Sequence, residues 1–115
     1  MTSDLHLYVV QATDTVRTAM ERIEANKHRA VVVVDQGKVV GVVSDGDIRR
    51  AFLHDVLPVA PVTRIMQINP HVTSEPDPAR RAELLRTLQI TLLPYVSSEN
   101  ELLGVQLAYE PGFLA

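Results

Sequence analysis

The 115-residue chain contains no cysteine and few aromatic residues. The lack of cysteine excludes a disulfide framework, thiol catalysis and a zinc site built on thiolates. Three Tyr, two Phe and no Trp provide no stacking platform for single-stranded nucleic acid. The formal net charge of −3 also argues against nonspecific binding to a phosphate backbone. We therefore expect no nucleic acid among the partners of this protein.

Long apolar runs are missing as well. No run approaches the roughly 20 apolar residues needed to span a bilayer. The N-terminal segment lacks the basic start and the apolar core of a signal peptide. We therefore expect a cytoplasmic protein without a membrane partner. Its length suits one ordinary domain, or two small halves that share one core.

Two half-length units can be aligned along the chain. The first has a helix with apolar residues from Val16 to Ile23 at helical spacing, then two valine-rich strands and a short helix from about Gly46 to His54. The second begins with a cap and a proline at Asp77-Pro78, followed by a helix, a strand over 92–96 and a strand over 102–107. The sequence therefore predicts an internal repeat.

The spacing between matching residues supports this repeat. Ile23 matches Leu85 and Val34 matches Val96 at the same offset along the chain. Gly41 matches Gly104 at a slightly larger offset, because the second turn is one residue longer. An insertion confined to a turn preserves the inward and outward faces of both strands.

One polar cluster, Ser44-Asp45-Gly46-Asp47-Ile48-Arg49-Arg50, follows the second valine-rich strand. Its hydroxyl, carboxylates, guanidinium groups and free backbone N–H groups could converge on a phosphorylated sugar. An Asx turn with a capping serine explains the same residues without any ligand. The local sequence leaves both interpretations open.

The segment from Gly41 to Ile48, Gly-Val-Val-Ser-Asp-Gly-Asp-Ile, resembles the motif of the CBS domain. Two such motifs in tandem resemble a CBS pair, or Bateman module. The resemblance implies an α/β fold of two β-α-β-β-α repeats packed about a pseudo-twofold axis. The first motif would span residues 1–57 and the second residues 58–115. It also implies a regulatory module and not an enzyme.

The string from Ser44 to Arg50 resembles CBS pairs attached to sugar-phosphate nucleotidyltransferases, and arabinose-5-phosphate isomerases carry a similar string. This resemblance implies a sensor of AMP, ADP or ATP that controls an attached or partner nucleotidyltransferase. The nucleotide would be a regulatory ligand, with no separate cofactor. By the same resemblance we expect a homodimer.

The resemblance also assigns a set of ligand-binding residues. The positions of Asp47 and Ser44 contact the ribose and the phosphate in the family, and Val42 lies against adenine. Other positions lining the cleft match Val10, Arg29 and Ala30, while Arg49 and Arg50 could neutralise phosphates. Core packing explains Val10, Ala30 and Val42 equally well.

The second half departs from the motif, because Leu107 and Glu110 stand at the positions of Ser44 and Asp47. Leucine cannot donate a hydrogen bond to a phosphate, so we expect one competent site. Two rival functions remain. The module could be a dimerisation element without a ligand, or a small metal-dependent enzyme using Asp45 and Asp47. The four histidines show no metal-ligand spacing, so we expect no metal site from them.

Overall fold

The computed structural model describes residues 4–115, which form two small β-sheets, three α-helices and two short 3-10 helices. Residues 1–3, the start of the predicted first motif, lie outside the described residues. In the part of the chain that is described, no helix is long and apolar enough to cross a membrane.

The first sheet contains four strands in the order β1-β2-β3-β4. β1 runs parallel to β2, and the other neighbours are antiparallel. In chain order, a 3-10 helix at Asp4–Tyr8 is followed by β1 (Val9–Gln11), α1 (Val16–Asn26), β2 (Ala30–Asp35), β3 (Lys38–Ser44), α2 (Asp45–Leu53), a 3-10 turn at Val62–Arg64 and β4 (Gln67–Ile68).

The second sheet contains three antiparallel strands in the order β5-β6-β7. Thr73 takes the place of a first strand by forming a single parallel bridge with Tyr95. The elements of this half are α3 (Pro78–Leu88), β5 (Leu92–Val96), β6 (Leu102–Leu107) and β7 (Phe113–Leu114).

The structure confirms the repeat that the sequence predicts. α1 and α3 are equally long. α3 begins and ends the same number of residues after α1 as Val96 follows Val34. A hydrogen bond repeats as well. The N–H of Asp45 donates to the carbonyl of Arg29 at 3.0 Å. In the second half, the N–H of Ala108 donates to the carbonyl of Thr91 at 3.0 Å. The two halves therefore share one backbone plan as far as the end of their second hairpin strand.

The halves differ in their last element. After β3 the chain turns into α2, whereas after β6 it makes a turn containing Pro111 and returns as β7. The returning strand pairs closely with β6. A Cβ at Gly104 would collide with the backbone carbonyl of Leu114, so glycine is needed at this position. Within the described residues, the second repeat therefore has no counterpart of α2.

The valines of β2 are buried on both faces of the first sheet. Val31 and Val33 pack with α1 and α2 on one face. Val32 and Val34 pack with Leu92 and residues of β6 on the other face. Successive side chains of a strand point to opposite faces, so an uninterrupted valine run is what a strand between two layers requires. The two halves thus share one core.

Candidate functional site

A cleft of about 570 Å³ lies where the two halves meet at the end of β3. Its walls come from three parts of the chain. The first half supplies residues 29–30, 42–47 and 49, and the second half supplies 89–92. The segment that connects the halves, residues 55–71 and here called the linker, supplies 67 and 69–71. The cleft is thus bounded by both repeats and by the segment that connects them.

Six of the eight predicted site residues line this cleft: Arg29, Ala30, Val42, Ser44, Asp47 and Arg49. Val10 does not line it. This side chain is only 2% exposed and packs in the core between α1 and the first sheet. Strand β1 lies beside β2, with Val10 paired to Val33, and this pairing explains its burial.

Arg50 is also absent from the cleft walls. Its guanidinium Nη2 donates to Oδ1 of Asp47 at 2.9 Å, and the side chain lies next to Gly46. In the structure, Arg50 is therefore the ion-pair partner of Asp47, the residue predicted to bind the ribose.

The end of β3 explains why Val42 and Ser44 share one wall. They are two residues apart in the same strand, so their side chains point to the same face. Gln67 of β4 is paired with Val42 across the sheet. This pairing brings the amide of Gln67 within reach of the first turn of α2. Ser44 itself is the N-cap of that helix.

The carboxylate of Asp47 accepts four hydrogen bonds within the protein. Oδ2 accepts from the N–H of Ser44 at 2.9 Å and from its hydroxyl at 3.0 Å. Oδ1 accepts from Arg50 Nη2 at 2.9 Å and from Gln67 Nε2 at 3.0 Å. Because two carboxylate oxygens offer about four acceptor positions, the group is saturated without any ligand.

These contacts set the ionisation of Asp47. Burial acts to raise the pKa of its carboxyl, but hydrogen bonds from Gln67, Ser44 and Arg50 act in the opposite direction and prevail. The pKa therefore lies below its ordinary value of 3.8, and the group is an anion at neutral pH.

Ser44 and Asp47 form a capping box. The serine hydroxyl accepts from the N–H of Asp47 at 3.2 Å, and its own proton goes to the Asp47 carboxylate. The ligand-free interpretation of this segment, a capping serine, is therefore present in the structure. A serine hydroxyl has one proton, so Ser44 would have to leave Asp47 in order to donate to a phosphate.

Other donors at this end of the cleft are available. The N–H of Gly46 in the first turn of α2 has no hydrogen-bond partner among residues 4–115. Arg29 and Arg49 are exposed at the cleft, and neither forms an ion pair within those residues. A helix N-terminus with two uncommitted guanidinium groups favours a bound anion.

Several residues of the cleft were not predicted from the sequence. They are the linker residues Gln67, Asn69, Pro70 and His71 and the second-half residues Gln89 to Leu92. The repeat contained a signal for two of them, because Thr91 and Leu92 are the repeat counterparts of Arg29 and Ala30. The linker residues had no such signal, since they reach the cleft through a strand of only two residues.

The place in the second half that corresponds to the cleft is filled by side chains. On the repeat alignment, Tyr109 corresponds to Gly46, and His28 corresponds to Ile90 in the wall of the cleft. The rings of Tyr109 and His28 stack with centroids 4.8 Å apart. Leu107, at the position of Ser44, is only 2% exposed. A ring stack therefore occupies the space that would correspond to the open cleft.

No group of three or more His, Asp or Glu residues that could hold a metal ion occurs in the described part of the chain. Asp45 and Asp47 are thus not joined by a third acidic or histidine ligand there.

Comparisons with known proteins agree on one class. Residues 1–54 match the family model of the CBS domain. The CBS domain protein PAE2072 from Pyrobaculum aerophilum, solved with AMP, is 24% identical, with a TM-score of 0.73 over 92% of this chain and 87% of that one. The CBS domains of a transcriptional regulator from Streptococcus pneumoniae are also 24% identical, with a TM-score of 0.73 over 90% and 85%.

A third solved structure, CBSX2 in complex with AMP, is 27% identical, with a TM-score of 0.73 over 93% of this chain and 85% of that one. Among curated proteins, no sequence matches this chain. Residues 1–54 thus match the CBS domain by sequence, and over nine tenths of its length the chain has the fold of CBS domain pairs.

Proposed function

We propose that this CBS pair is a regulatory module that binds an adenine nucleotide (AMP, ADP or ATP) in the cleft at the end of β3. The observation that supports this proposal most is that one cleft collects six of the eight predicted residues. Two of the similar structures described above are AMP complexes, which agrees with a nucleotide as ligand.

Each part of a nucleotide has a suitable partner in the cleft. Val42 and Ala30 offer apolar surface for adenine, and the Asp47 carboxylate offers acceptors for the two ribose hydroxyls. The phosphate would lie near the N–H of Gly46, with Arg29 and Arg49 supplying positive charge. Ser44 would then support the site mainly by capping α2, a narrower role than direct contact with the phosphate.

Regulation would follow from the position of the cleft between the repeats. Ala30 belongs to the first half and Thr91 to the second, so a ligand between them contacts both. A ligand shifts a conformational balance only if it binds one arrangement more tightly than another. The nucleotide would favour one arrangement of the two repeats, and a sugar-phosphate nucleotidyltransferase, attached or separate, would respond to it. We further propose that the module acts as a homodimer.

Titration calorimetry with AMP, ADP and ATP tests the proposal. We expect saturable heat at one site with at least one of the three. Arg49→Glu should weaken that binding at least tenfold, because it places a negative charge beside the phosphate. Arg64→Glu is the matched control, since Arg64 is exposed, lies outside the cleft walls and undergoes the same charge change. Absence of heat with all three nucleotides would contradict the proposal.

A dimerisation element without a ligand is the second candidate. Two observations favour it: Asp47 is saturated within the protein, and Leu53, Leu57 and Val59 are 75%, 65% and 75% exposed on the α2 side of the first half. Sedimentation of Leu57→Asp distinguishes the candidates. A dimer that dissociates in this variant, together with no nucleotide heat in the wild type, would favour assembly as the function.

A further inference from the structure

We propose that Gln67 competes with the nucleotide for Asp47, so that ligand binding detaches the linker strand β4 from the start of α2. This inference rests on the proposed function, since it assumes that the ribose hydroxyls bind Asp47. Without a nucleotide, the Gln67 amide would donate to the carboxylate oxygen that a ribose hydroxyl contacts in the complex.

The first step concerns the number of hydrogen bonds. Asp47 has about four acceptor positions, and all four are filled by Ser44, Arg50 and Gln67. Two ribose hydroxyls bring two further donors. A bidentate contact with the sugar therefore requires that existing donors leave the carboxylate.

The second step concerns which donors leave. The two bonds from Ser44 belong to the capping box, and losing them would unfasten the start of α2. Arg50 donates through a charged guanidinium, which binds a carboxylate more strongly than a neutral amide does. Gln67 is that neutral amide, and it lies on an exposed strand of two residues. Gln67 carries no charge and takes no part in the helix cap, so we expect Gln67 to leave first. Arg50, whose side chain is 57% exposed, can then turn away to make room for the second hydroxyl.

The third step concerns what the release does. β4 is held to β3 by only two residue pairs, Gly41 with Ile68 and Val42 with Gln67. The residues that follow, Asn69, Pro70 and His71, form the linker wall of the cleft. The hydrogen bond from the Gln67 amide to Asp47 thus links the linker between the two repeats to the first turn of α2. Replacing it with a sugar hydroxyl would loosen that connection when the cleft is occupied.

Calorimetric titration of Gln67→Ala with AMP tests this competition. We expect AMP to bind about fivefold more tightly than to wild type, because the ligand no longer displaces an internal hydrogen bond. Ile68→Ala is the matched control, since Ile68 is the neighbouring β4 residue, is 70% exposed and has no side-chain group that could donate to Asp47; the affinity of this variant should equal that of wild type. Weaker binding by Gln67→Ala would make Gln67 a ligand contact, and either weaker or unchanged binding would overturn the proposal.

The side-chain amide of Gln67 provides a second readout. Its nitrogen resonance can be assigned by its disappearance in Gln67→Ala, and on addition of AMP to wild type it should move to the position of a solvent-exposed amide. A resonance that stays in place at saturation would overturn the proposal. If wild type binds AMP and Gln67→Ala binds equally well, the competition alone is refuted. If neither wild type nor Gln67→Ala binds any adenine nucleotide, the proposed function is refuted and the competition with it.

Discussion

The ring of Tyr109 lies over the ring of His28, with the ring planes 21° apart. The two residues are far apart in the sequence and join the end of the second hairpin to the end of α1. Nδ1 of His28 is also 2.9 Å from the hydroxyl of Tyr8 and 2.8 Å from the carbonyl of Asn26, so the histidine is held from several directions. This packed cluster stands where the first half has its open cleft.

Removing the stack should not create a second nucleotide site. Tyr109→Ala empties the space over His28, but Leu107 still lacks a donor and the chain still forms β7 in place of a helix. We expect calorimetry of the variant with AMP to give the same stoichiometry as wild type. A second molecule of AMP bound per chain would show that Tyr109 alone blocks the site.

Asp47 should make stability depend on pH in the acidic range. Because its pKa is lower in the folded protein than the ordinary value of 3.8, the ionised carboxylate stabilises the fold above that value. This contribution disappears as the pH falls through the lowered folded pKa. Asp47→Asn should therefore lower the free energy of unfolding by about 1–3 kcal/mol at neutral pH, and the difference from wild type should shrink below pH 3.8.

Urea denaturation of both proteins at several pH values measures this difference. Asp45→Asn is a suitable control, since the Asp45 side chain is exposed and forms no ion pair among residues 4–115. A difference between wild type and Asp47→Asn that stays constant with pH would contradict the ionic role of Asp47.

Gly41 should resist substitution because β4 approaches it closely. A Cβ at this position would lie 2.7 Å from Sδ of Met66 and 2.9 Å from the backbone carbonyl of Gln67. We expect Gly41→Ala to lower the free energy of unfolding by about 1–3 kcal/mol through overpacking. Gly46→Ala is the control, because the atoms nearest to its new Cβ belong to the flexible end of the Arg50 side chain. Equal stability of Gly41→Ala and wild type in urea denaturation would show that β4 yields without cost.

The planar guanidinium group of Arg81 should be required for full stability of the fold. The side chain is buried, its Nε donates to Gln106 at 2.9 Å, and its guanidinium lies 5.0 Å from the centre of the Tyr95 ring and 4.5 Å from that of Phe113. Lysine can neither stack a planar group on the two rings nor place a second N–H donor, like Nε of arginine, opposite Gln106.

We therefore expect Arg81→Lys to lower the free energy of unfolding by about 1–3 kcal/mol. The neighbouring Arg80, whose side chain is 72% exposed, provides the control variant Arg80→Lys. If thermal denaturation gives the same midpoint for both variants, the buried contacts of Arg81 contribute nothing specific.

Most of the fold could be predicted from the sequence because it depends on periodicity. Val34 and Val96 hold matching places because α1 and α3 are equally long and the strands that follow them, β2 and β5, begin at the same offset. The final strand β7 could not be predicted in this way. It forms through close backbone contact at Gly104, which a pattern of apolar residues does not encode.

The candidate site was predictable in part. Ser44 and Asp47 follow a local motif, and the structure places both in the cleft. Val10 was assigned to the cleft by resemblance, yet its position beside β2 buries it in the core. The saturation of Asp47 by Gln67 had no local signal, because the two residues are distant in the sequence and meet only through strand pairing.

Nitrogen–proton correlation spectra recorded during an AMP titration would test most directly the proposal that the protein binds an adenine nucleotide in the cleft at the end of β3. We predict that the amide resonances of Ser44, Gly46 and Thr91 shift progressively and saturate, while that of Tyr109 shifts less. The opposite pattern, with the largest shifts around Tyr109 and none at Gly46, or no shifts with AMP, ADP or ATP, would contradict the proposed site.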